Sequence, residues 1–220
     1  LRFKAGLELP QLYIISDSVP NAFATGRNPA NAAVALTTGL LDTLNDDEIA
    51  AVIAHELGHV RHYDILTGSI AAVFAGGIAI LANFAQFGAM LGNNQNRQNP
   101  LLIIALSIIM PLAATIIQMS ISRSREFEAD RFSASITNPN DLANALLKLE
   151  GSNAHTMVKN ANEQTAHMFI ISPFSGKNIA SGISNLFRTH PTTRQRVERL
   201  NELSRHNKNY QNPARKYFNS

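Results

Sequence analysis

The sequence contains no cysteine and no tryptophan among its 220 residues. Without cysteine there is no disulfide, no iron–sulfur cluster, no thiolate ligand and no thiol nucleophile, so any bound metal has to be held by His, Asp or Glu. A strong excess of one charge is also missing. Lys and Arg number 19 against 16 for Asp and Glu, a formal charge of +3, too small an imbalance to imply a nucleic-acid partner. Length excludes little, because 220 residues suit one domain with an appendage. The most informative absence is local: between Asp64 and Arg123 the only charged residue is Arg97.

Two apolar runs fill that charge-poor stretch, residues 65–91 and 100–122, separated by the polar GNNQNRQN. Each exceeds the ~20 helical residues needed to cross a hydrocarbon core of ~30 Å. The pattern predicts a transmembrane helical hairpin, with a kink at Pro111 and small residues (Gly68, Ala72, Gly76, Gly77, Ala79) suited to close helix packing. A buried hairpin inside a soluble protein is the alternative. Arg61, Arg123, Arg125 and Arg131 flank the ends of the hairpin, against Arg97 in the loop, which predicts cytoplasmic termini. No signal peptide is visible and Leu1 is not an initiator Met, so an upstream segment is expected.

Ahead of the hairpin the sequence reads as a small α+β unit. Strand composition marks residues 12–16 and 32–37, with turn signals at Pro20, Gly26 and Asn28-Pro29. Asn45 followed by Glu48 has capping-box spacing, and Asp46 and Asp47 suit the positive end of a helix dipole. Ile49, Val52, Ile53, Leu57 and Val60 then form an apolar stripe at helical spacing. On this helix lies His55-Glu56-Leu57-Gly58-His59, the H-E-x-x-H pattern. Its histidines at i and i+4 share a face and can reach one Zn²⁺, while Glu56 lies ~100° around the helix, beside the metal, where a general base for water belongs. Gly58 is costly within a helix and predicts close approach of another backbone. A surface helix with a chance pair of histidines is the alternative.

A catalytic zinc usually takes three protein ligands and a water. His62, on the same helix, would crowd one side of a tetrahedron. Glu126 and Asp130, at i and i+4 just after the hairpin, share a helix face. Glu126 is the better third ligand, with Asp130 as acceptor for the outer N–H of a zinc-bound imidazole. Glu128 points elsewhere. The competing reading makes Arg123, Arg125, Glu126, Glu128 and Asp130 a salt-bridged helix surface.

HExxH at 55–59, two apolar spans and RSREFEAD at 123–130 resemble the HtpX membrane zinc endopeptidases, gluzincin relatives of the CAAX prenyl endopeptidases. PNAFATGRNP (20–29), ALTTGLLDTL (35–44), SPF (172–174) and THPTTRQRVERL (189–200) extend the resemblance in the same order over most of the chain. It implies zinc on His55, His59 and Glu126, one ion per chain, with Glu56 catalytic. It also implies roles for His190 and Arg196, either of which would donate to the oxyanion of the attacked carbonyl. The alternative places Arg196 in solvent with Arg194 and Arg199, on a helix capped by Thr192 or Thr193 that turns Val197, Leu200 and Leu203 inward. Asn21, Ala22 and Phe23 are expected to line the cleft. Ala35, Leu36 and Thr37 are expected in an edge strand that holds substrate by β-addition, although both segments also fit ordinary sheet. His155, His167 and His206 read as surface residues.

The expected architecture is mainly α with a small β-sheet (α+β): a zincin-like metalloprotease domain whose halves, 1–64 and 123–204, are interrupted by the hairpin at 65–122 and followed by a polar tail, 205–220. The resemblance implies cleavage of membrane proteins, misfolded ones included, by a multi-pass protein of the bacterial inner membrane whose catalytic part faces the cytoplasm. The expected partners are membrane-protein or peptide substrates and the lipid bilayer. A CAAX-type prenyl endopeptidase, a non-catalytic scaffold or chaperone, and a zinc-storage module are the other classes the pattern leaves open.

Overall fold

The computed structural model describes residues 10–26, 28–91, 100–155 and 191–210. Three short strands, β1 (Gln11–Ile15), β2 (Ala22–Thr25) and β3 (Ala33–Thr37), form a sheet in the order β1-β3-β2, with β3 parallel to β1 and antiparallel to β2. β2 lies where the sequence signals only turns, since AFAT is short and half alanine. β3 is the central strand. It is hydrogen-bonded on both sides, so the expectation of an edge strand at Ala35, Leu36 and Thr37 is corrected: these residues are buried and have no free ladder for a peptide.

Thr37 has a structural task instead. Its hydroxyl accepts from the Asn21 amide at 2.8 Å and donates to the Val19 carbonyl at 2.8 Å, clipping the entry of β2 to the end of β3. The same residue caps a short helix, α1 (Thr38–Thr43), which the sequence reading does not anticipate.

α2 (Asp46–Arg61) begins with the expected capping box: the Glu48 amide donates to Asn45 Oδ1 at 2.9 Å and the Asn45 amide to Glu48 Oε2 at 3.0 Å. α3 (Asp64–Leu91) follows after two residues, then α4 (Pro100–Ile136) and α5 (Pro139–His155). α6 (Thr193–Tyr210) is preceded by a second reciprocal cap, between Thr192 and Gln195. Val34, Leu36, Leu40, Val52, Leu57, Leu142, Leu146, Leu149 and Leu200 are among the residues of one core shared by the sheet, α1, α2, α5 and α6. This is the α+β class the sequence predicts.

α3 and α4 behave differently. They lie antiparallel, with the Thr67–Ile78 side of α3 facing Ala114–Ile121 of α4. Their outer surfaces carry large apolar side chains in the open: Val73 is 73% exposed and Phe74 70%. The 21 residues Asp64–Phe84 are long and apolar enough to cross a membrane, the only such segment among the described residues. α4 continues without a break through Pro111 and past residue 122 to Ile136. Residues 122 and 123 lie within this helix, so the second apolar run and the Glu126/Asp130 pair belong to one continuous element.

Candidate metal centre

α2 and α4 cross at Gly58 and Ala129. A Cβ on Gly58 would lie 2.9 Å from Ala129 Cα, too close for any real side chain, so glycine is required by the contact the sequence anticipates. Gly58 sits between His55 and His59, and Ala129 between Glu126 and Asp130. The crossing point thus lies inside both motifs and turns their functional side chains toward one another.

Those side chains form one cluster. His55 and His59 stand edge to face, with their Nε2 atoms 3.1 Å apart. Glu126 Oε2 is 3.6 Å from His55 Nε2 and Oε1 is 3.6 Å from His59 Nε2. Donors ~2.0–2.1 Å from a tetrahedral zinc are separated by about 3.3 Å, so the two imidazoles and one carboxylate fit this metal in both chemistry and spacing. Among the described residues they are the one group of three or more potential ligands. His62 is excluded from it: it caps the end of α2 and packs against the Phe132 ring. Glu128 is exposed and pairs with Arg131.

Each imidazole has a carboxylate behind it. Asp130 Oδ1 lies 3.0 Å from His55 Nδ1, the role expected for Asp130. His59 Nδ1 lies 2.6 Å from Asp64 Oδ2, a contact the sequence reading does not anticipate. The signal available was an acid five residues beyond the second histidine.

Arg196 is only 2% exposed, which overturns its placement in solvent with Arg194 and Arg199. It donates from Nη2 to Asp130 Oδ1 at 2.6 Å and from Nε to Asp130 Oδ2 at 2.9 Å, while Nη1 lies 3.4 Å from Glu126 Oε2. Its guanidinium thus holds the carboxylates of Asp130 and Glu126 within the cluster. The capped start of α6 delivers it there, one turn before the core residue Leu200. His190 lies outside the described residues.

Electrostatics follow from this packing. Burial and Arg196 pull the His55 pKa down, but hydrogen bonds to Asp130 and Glu126 outweigh them and raise it to about 9. For Asp130, burial is outweighed by Arg196 and His55, so its carboxyl is held below the usual range. Glu56 moves the other way: burial raises its pKa against the opposing pull of His55 and His59. Its Oε2 accepts from the Ala24 amide of β2 at 2.9 Å. Of the predicted cleft residues, Asn21 and Ala22 are buried and Phe23 is half-buried on β2, the strand that touches Glu56.

Two histidines and one carboxylate close enough to share a metal ion, with a buried glutamate beside them, make the donor set of a metal-dependent hydrolase. The profile of peptidase family M48 matches residues 2–204, and the chain belongs to that family of metallopeptidases. Within it, a "Protease HtpX homolog" of Campylobacter hominis is 60% identical over 201 residues, covering 90% of this chain and 71% of that protein. A "Protease HtpX" of Legionella pneumophila is 49% identical, covering 92% and 73%. The fold also resembles the crystal structure of S. mikatae Ste24p, with a TM-score of 0.59 at 22% identity, covering 90% of this chain and 48% of that one. This chain therefore spans about half the length of that structure.

Proposed function

We propose that the protein is a zinc endopeptidase that hydrolyses membrane proteins, misfolded ones included, at the cytoplasmic face of a bacterial inner membrane. The observation that carries this reading is the continuity of α4: Glu126 and Asp130 stand on the same helix as an apolar run whose large side chains are exposed, and α3 starts at Asp64, which touches His59. The candidate centre thus lies at the foot of both apolar helices. The basic residues at that foot, Arg61, Arg123, Arg125 and Arg131, support a cytoplasmic position.

His55, His59 and Glu126 would hold the zinc, which when bound polarises the scissile carbonyl and lowers the pKa of water toward ~7. Glu56 accepts the proton of the attacking water and returns it to the leaving amine. A carboxyl whose pKa is raised by burial is suited to both halves of that transfer. Asp130 and Arg196 fix the His55 ring and balance the buried negative charge. An extended substrate would add at β2 rather than β3, because β3 has no free edge and the β2 amide of Ala24 already reaches Glu56.

The test is proteolysis of an unlipidated membrane protein co-reconstituted in liposomes. The proposal expects cleavage by the wild type and none by Glu56→Gln. Cleavage restricted to prenylated peptides would replace it with a CAAX-type activity, and intact substrate with both forms would point to a scaffold without catalysis.

A further inference from the structure

We infer that Asp64 is a positioning residue for His59, and that through it the first residue of the apolar helix α3 sets the orientation of a metal ligand. The inference rests on the reading of His59 as a ligand of the bound metal.

The geometry starts in the two-residue link between α2 and α3. α2 closes with the His62 amide donating to the Gly58 carbonyl at 3.0 Å, and the Thr67 amide donates to the Tyr63 carbonyl at 2.9 Å as α3 begins. Between them Tyr63 has φ 55°, the left-handed region usually given to glycine after a helix. A bulky residue is uncommon there and persists when its surroundings require the conformation. The reversal folds the Asp64 carboxylate back over the last turn of α2. Its Oδ2 comes to 2.6 Å from His59 Nδ1, and Asp64 is buried at 9% exposure.

A proton on His59 Nδ1, donated to Asp64, leaves the Nε2 lone pair facing His55 Nε2 and Glu126, the side on which the donors converge. Asp64 also differs from Asp130 in its charge. Arg196 shares the negative charge of Asp130 through two hydrogen bonds, whereas no Lys or Arg among the described residues pairs with Asp64. Its carboxylate therefore acts undivided on the His59 ring. Because Asp64 opens the segment long enough to cross a membrane, a shift of α3 along its axis moves the carboxylate off Nδ1.

The experiment uses the whole chain in detergent and measures zinc affinity by chelator competition, with the visible absorption of the Co²⁺-substituted protein as a second readout. Asp64→Ala and Asp64→Ser are expected to weaken zinc binding by roughly 10–100-fold and to alter the cobalt spectrum. Asp64→Asn, which keeps a neutral acceptor within reach, is expected to fall in between. Ser and Asn both preserve a polar start to α3, so a merely structural role predicts wild-type affinity for both, and that result overturns the inference. Tyr63→Gly should bind zinc as the wild type does, while Tyr63→Ile, poorly tolerated at positive φ, should resemble Asp64→Ala; equal affinities for this pair would also count against it. Glu126→Ala separates the two levels: wild type and Glu126→Ala alike in lacking zinc would refute the metal centre itself. A zinc-binding wild type, a zinc-free Glu126→Ala and an unaffected Asp64→Ser would refute the role of Asp64 alone.

Discussion

The two histidines of one helix turn are supported in different ways. His55 is buried, and its carboxylate, Asp130, is locked by a bidentate arginine from α6 and lies in the helix that also carries Glu126. His59 is partly open, with a side chain 19% exposed, and its carboxylate comes from the first residue of an apolar helix, with no arginine among the described residues holding it. The His55 support comes from the C-terminal part of α4 and from α6, and the His59 support from the first residue of α3. The difference is one of bracing: the carboxylate behind His55 is held by an arginine from another helix, while the carboxylate behind His59 is placed by the turn at Tyr63 that begins α3.

The comparison can be broken or sharpened by substitution. Glu56 belongs to neither support, so Glu56→Gln should lower kcat by about 10²–10⁴ with zinc content unchanged, as read by hydrolysis assays and metal analysis. On the His55 side, Arg196→Met leaves the buried Asp130 without its guanidinium and with only His55 beside it, with an expected destabilisation of about 3–5 kcal/mol in denaturant titration. The double variant Asp130→Asn/Arg196→Met should cost less than the two single changes together, because each single change strands the other partner. Gly58→Ala forces a methyl to 2.9 Å from Ala129 Cα and should cost about 1–3 kcal/mol, weakening zinc binding as α2 and α4 separate. At the far end of the scale, Phe74→Ser on the exposed face of α3 should change detergent-free stability of the α+β unit by no more than about 0.5 kcal/mol while reducing partition into liposomes, measured by flotation.

Legibility in the sequence followed the range of the interactions. HExxH is local: five residues on one capped helix specify two ligands and a base, and the capping box at Asn45 forms as its spacing requires. Glu126 and Asp130 were legible because the i, i+4 rule puts them on one face, and Gly58 because an interior helix glycine needs a reason. What escaped depends on pairing across the chain. Strand order is not encoded in strand composition, so β3 was taken as an edge although β1 and β2 flank it. The solvent-facing alternative for Arg196, beside Arg194 and Arg199, fails on its contact with Asp130, across 66 residues of sequence, which makes it a buried counter-ion. Asp64 was hidden because its reach to His59 depends on an unusual backbone angle at a tyrosine, which no turn preference announces.

The central claim is that His55, His59 and Glu126 hold one zinc and Glu56 uses it. The most direct measurement is zinc stoichiometry of the purified chain in parallel with casein hydrolysis for the wild type, Glu56→Gln and Glu126→Ala. The account predicts one zinc per chain and hydrolysis in the wild type, one zinc without hydrolysis in Glu56→Gln, and neither in Glu126→Ala. Full zinc occupancy in Glu126→Ala, or hydrolysis persisting in Glu56→Gln, would contradict it.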